Sequence, residues 1–174
     1  MRTRDISVLC VLAGVLSVVG TGPAAAQAEI DRVLVRVGDE VITQLDVRRA
    51  RLLKLVPASA TTDADIQHEL ENHWLMAVES ARFSPAPPDQ AAIEAERARW
   101  LARLDPGTDP TTALERAGMS EAELTTWFRA ELMIRTYIEG RFGLLPPGER
   151  ATAVEAWIRG LRDRAGLRES ESQN

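Results

Sequence analysis

Residues Val33–Val47 read VLVRVGDEVITQLDV: apolar and polar residues alternate, a Gly38-Asp39 pair interrupts them, alternation resumes, and it stops at Thr43. Period-two alternation on both sides of a Gly-Asp pair describes a β-hairpin, because glycine and aspartate accept the positive φ of a tight turn. The strands are read as Val33–Val37 and Glu40–Ile42, with Val33, Val35 and Val37 on one face. Thr43 suits a helix N-cap, and Asp46 favours the positive helix end. The first helix is expected to reach about Leu55, with Leu45, Leu52 and Val56 on one side, before VPASATT ends it.

Everything after the hairpin has helical periodicity. A second helix is expected from Thr62 or Asp63 to about Arg82, since Ile66, Leu70, Trp74, Ala77 and Ala81 fall on one stripe at ~100° per residue. SPAPPDQ breaks the chain, and Pro87-Pro88 before Asp89 opens a third helix carrying Ile93, Trp100, Leu101 and Leu104. Asp109-Pro110 starts a short fourth helix that Gly118 terminates. Ser120 and Glu123 form a capping box for the longest helix, which reaches Phe142. Leu124, Trp127, Phe128, Leu132, Ile134, Ile138 and Phe142 span about 160° of its circumference, wide enough for contact on two sides, so it is read as the central helix. A sixth helix, from about Arg150 to Ala165, presents Val154, Trp157, Ile158, Leu161 and Ala165. The expected fold is mainly α: about six helices, a short N-terminal β-hairpin, and a C-terminal helix packing back on the N-terminal region.

Upstream, Arg2 and Arg4 precede an apolar run from Ile6 to Val19 and a small-residue stretch, TGPAAAQA. That order describes a secretory signal peptide over residues 1–28, with cleavage after Ala26 or Ala28. The run is shorter than the ~20 residues that span a bilayer. Cys10 is the only cysteine and leaves with the signal, so the mature chain has no disulfide, thiol nucleophile or thiolate metal site. The whole chain has 21 basic and 26 acidic residues; removing Arg2, Arg4 and Asp5 leaves 19 and 25, a net charge of −6. An acidic chain lacks the basic face that nucleic acids or anionic membranes require. The domain is expected over residues 29–168, followed by a polar, disordered tail at 169–174.

No motif argues for catalysis, and no cofactor or metal is expected. His68 and His73 are about 140° apart on a helix, unlike the i,i+4 spacing of helical zinc ligands, and read as surface or boundary residues. No G-x-S-x-G or phosphate-binding loop is present. Glu131 and Arg135 are i,i+4 within the apolar arc of the fifth helix and read as a semi-buried ion pair that fixes helix register. Trp74, Trp100, Trp127 and Trp157, one on each of four helices, read as core anchors.

Taken together, the pattern resembles the N-terminal domain of SurA-type periplasmic chaperones, related in architecture to the peptide-binding domain of trigger factor. VLVRVGDEVITQLDV resembles that domain's opening hairpin and first helix, DIQHELENHWLMAVESARF its second helix, and GMSEAELTTWFRAELMIRTYIEGRF the long helix that follows. AVEAWIRGLRDRAGL is similar to the C-terminal helix that returns to complete the domain. In the full-length family, parvulin-type prolyl isomerase domains lie before that returning helix. Here only GLLPPGE, Gly143–Glu149, occupies the place, too short for a domain of at least ~50 residues. Isomerase activity is therefore not implied.

The resemblance implies a periplasmic, ATP-independent chaperone-like module that binds unfolded or partly folded envelope and outer-membrane proteins. Such a surface favours adaptable Met, aromatic and Leu side chains. The candidates are Met119, Met133, Tyr137, Leu144 and Leu145, which fall off the main stripes or in a connecting loop. A scaffold subunit pairing with one envelope partner is the alternative, and an enzyme assembled from scattered acids such as Asp46 and Glu131 ranks last.

Overall fold

The computed structural model describes residues 31–37, 40–83 and 86–167. The signal-peptide reading at 1–28, the Gly38-Asp39 turn and the tail at 169–174 lie outside the described residues. Strands β1 (Val33–Val37) and β2 (Glu40–Thr43) form a two-stranded antiparallel sheet. They are followed by helices α1 (Gln44–Leu52), α2 (Asp63–Ala81), α3 (Gln90–Arg103), α4 (Pro110–Ala117), α5 (Glu121–Phe142) and α6 (Pro147–Ala165). The fold is mainly helical, with the hairpin at its N-terminal side and α6 packed back on α2.

Local chemistry accounts for the helix starts. Thr43, Thr62 and Ser120 form capping boxes with Asp46, Asp65 and Glu123, each satisfying free backbone N–H groups of the first turn. Asp109 caps α4 ahead of Pro110, and Gly118 ends it in the left-handed conformation. The guanidinium of Arg49 reaches the carbonyls of Ala117 and Gly118, tying α1 to that helix end.

Three sequence expectations are corrected. The ladder pairs Val35 with Ile42 but Val33 with Thr43, so Leu34 is the extra residue of a bulge. Val33 is thereby turned to solvent, 58% exposed, and Leu34 joins Val35 against the core. Secondly, α1 ends at Leu52 rather than near Leu55, because Lys54 takes a positive φ of 49° while the Leu55 amide bonds back to the Ala50 carbonyl. The buried face is Val47, Ala50 and Leu53, and Leu52 is exposed. Thirdly, the most enclosed helix is α2, not α5: β1, β2, α1, α5 and α6 all pack on it. Enclosure from several sides explains why its buried residues, Ile66, Leu70, Glu71, Asn72, His73, Leu75 and Ser80, form no single stripe; Ala81, the last residue of the helix, is exposed.

The core joins Val37 and Ile42 of the hairpin to Leu53, Ile66, Trp100, Leu124 and Phe128. Trp100 is fully buried, and its indole N–H donates to the Leu53 carbonyl at 2.7 Å, which satisfies both groups and fastens α3 to the end of α1. Leu101, expected on the apolar side of α3, and Ala165 on α6 are exposed.

Candidate binding cleft

The N-terminal half of α2 runs between the hairpin and the C-terminal half of α6, and open space remains where the three meet. One cleft, of about 850 Å³, is walled by Leu34 and Val35 of β1, Ser59 and Ala60 ahead of α2, Ala64, Gln67 and His68 of α2, and Leu167 beyond α6. A second, of about 540 Å³, continues between His68, Asn72 and Met76 of α2 and Glu155, Ile158 and Arg159 of α6. His68, Glu69, Arg162 and Leu167 line both, so the two adjoin as one groove along the α2–α6 seam. Its walls mix apolar side chains with carboxylates.

The seam is held by buried charge. Arg162 of α6 places Nη2 2.9 Å from Glu71 Oε2 and donates from Nη1 to Asn72 Oδ1 at 3.1 Å. Glu71 also accepts from Gln67 Nε2 at 2.9 Å. A buried pair with this many hydrogen bonds recovers its desolvation cost only while both partners are present.

A second buried cluster lies between α2 and α5. His73 is 4% exposed and stacks on Trp127, with ring centroids 3.7 Å apart. Its Nδ1 is 2.9 Å from Glu131 Oε1, while Nε2 has no partner. Since an ionised carboxylate only accepts, Nδ1 carries the hydrogen of that contact. The surface reading of His73 is thus corrected, and so is the ion pair within α5. Glu131 turns to His73 on α2, and Arg135 turns to Glu96 on α3 at 2.9 Å. Glu96, buried, also binds Arg99 at 2.7 Å. Burial pushes its carboxyl up, but hydrogen bonds and charge from Arg135 and Arg99 outweigh that and hold it below the usual carboxylate range.

The five residues singled out from sequence do not form one surface. Met119 borders a separate hollow of about 280 Å³ with Leu114 and Gly118, at the start of α5. Leu144 and Leu145 follow its other end, and the 22 residues of α5 extend about 33 Å between them. Met133 is half-buried on α5. Tyr137 is half-buried, stacked on Trp157 at 5.1 Å and 5.8 Å from Phe83. Leu144 is fully exposed and Leu145 is 37% exposed. None of the five lines the α2–α6 groove. The groove's own residues give no sequence signal beyond the two charged or amide residues, Glu71 and Asn72, that interrupt the apolar pattern of α2.

Among the described residues, no three His, Cys, Asp or Glu side chains converge on a metal site, and no helix is long and apolar enough to cross a membrane. Comparison with family models, curated proteins and solved structures gives no match.

Proposed function

We propose that the mature chain is an ATP-independent, chaperone-like module of the cell envelope that binds unfolded or partly folded polypeptides, with no catalytic or prolyl isomerase activity. The observation that carries this reading is the groove between β1, α2 and α6: it is open and elongated, with apolar walls of Leu34, Val35, Met76, Ile158 and Leu167 and a charged rim. Such a surface binds extended apolar segments weakly and without strict sequence, which suits a holdase that has no nucleotide to drive release. The signal-peptide pattern of residues 1–28 and the resemblance to SurA-type domains support a periplasmic location and envelope clients.

A second reading, a scaffold subunit with one dedicated envelope partner, is favoured by a different feature. Phe83 is 62% exposed beside Tyr137, and fully exposed Leu144 lies beyond the same end of α5. Exposed large apolar side chains gathered at one end of a helix bundle suit a stable interface. Size exclusion of the mature chain mixed with several urea-unfolded β-barrel proteins separates the readings: complexes with many of them support the chaperone, and none supports the scaffold.

A further inference from the structure

We infer that the groove takes an extended, basic polypeptide segment that adds as a third strand to the free edge of β1. This rests on the binding-module reading above and names what that module holds. Among the described residues the sheet has two strands, so one edge of β1 has no described strand beside it. The larger cleft is walled by Leu34 and Val35 of β1 and by no residue of β2, which places the cleft on that free side. An unpaired strand edge is a template for another extended chain: its backbone groups supply hydrogen bonds whatever the partner's sequence. The five residues of β1 extend about 17 Å, enough to pair a short extended segment.

Charge selects among such segments. Glu71 and Arg162 neutralise each other at 2.9 Å. Among the described residues, the carboxylates of Asp65 and Glu69, which make no ion pair, line the cleft beside β1, and those of Glu155 and Asp163, likewise without one, line its continuation along α6 with the guanidinium of Arg159. A chain with Lys or Arg alternating with apolar residues puts its apolar side chains on the Leu34 and Val35 wall and its cations toward those carboxylates. An acidic segment meets like charge there.

The test uses three peptides of about eight residues, long enough to pair along the whole of β1 with a residue or more to spare at each end: one alternating valine and lysine, one with glutamate for lysine, and the lysine peptide N-methylated at every second amide. Binding to the mature chain is followed by fluorescence anisotropy, and an unfolded β-barrel protein is tested in parallel by size exclusion. The expected result is binding of the lysine peptide, with the other two at least about tenfold weaker. The double variant Glu69→Lys, Asp163→Lys, at side chains that make no ion pair, is expected to invert the preference between lysine and glutamate peptides. If the β-barrel protein binds while N-methylation or charge makes no difference, the strand-addition inference is overturned and the binding-module reading stands. If neither peptide nor β-barrel protein binds a folded sample, both are overturned.

Discussion

The imidazole of His73 lies against the indole of Trp127 with ring planes within 7° of parallel, and Trp74 meets both rings edge-on. The stack joins α2 to α5, and Glu131 orients the imidazole from the α5 side. Replacing His73 by alanine removes the stack and leaves Glu131 without its partner. The expected loss is about 2–3 kcal/mol, read from urea unfolding followed by circular dichroism. Glu131→Gln, which keeps an acceptor for Nδ1–H, is expected to cost less.

Arg162 and Glu71 are a buried pair on two different helices. Arg162→Ala strands a buried carboxylate and is expected to destabilise the fold by about 3–5 kcal/mol. The double variant Arg162→Met, Glu71→Leu, which fills the seam with apolar volume, is expected to be more stable than the single one in the same urea titration. Arg162→Met alone, which keeps the stem volume but still strands Glu71, separates the causes: if it is as stable as the double variant, the loss in Arg162→Ala comes from packing of the arginine stem rather than from an unpaired charge.

Trp100→Phe tests the tie between α3 and the end of α1. The ring volume is largely kept, but the Leu53 carbonyl loses its 2.7 Å donor in a fully buried site. An unsatisfied buried carbonyl costs about 1–3 kcal/mol, and that is the expected fall in unfolding free energy.

Acid should weaken the fold in a defined window. The carboxyls of Glu96, Asp65, Asp109 and Glu123 are all held below their ordinary values: Glu96 by the arginines that outweigh its burial, the other three chiefly by backbone N–H groups they cap. A depressed folded value means that the stabilisation is present above the unfolded value, about 4 for carboxylates, and is lost as pH falls through the folded one. Melting temperature is therefore expected to drop as pH falls below about 4, and Glu96→Gln should flatten part of that drop.

What sequence alone made legible divides by the range of the interaction. The hairpin, the helix starts at Thr43, Thr62, Asp89, Asp109 and Ser120, and the stop at Gly118 follow from residues within four positions of one another, and the structure places them as expected. The bulge at Leu34 and the turn at Lys54 were not legible, because each is imposed by packing of Leu34, Leu53 and Leu55 on elements far along the chain. The charge partners are hidden from sequence for the same reason. Spacing on α5 joined Glu131 to Arg135, whereas α2 and α3 supply His73 and Glu96 as nearer partners in space. The groove was illegible because its walls come from β1, α2 and α6, separated by most of the chain, and no side chain in it is unusual by type.

The most direct measurement is light scattering after a urea-unfolded outer-membrane β-barrel protein is diluted into buffer with and without the purified chain from residue 29 onward, with an inert acidic protein as control. Suppression of scattering at near-equal molar ratio, with a complex on size exclusion, is the predicted result. Unchanged scattering in the presence of a folded, helical sample would contradict the account and leave the dedicated-partner scaffold in its place.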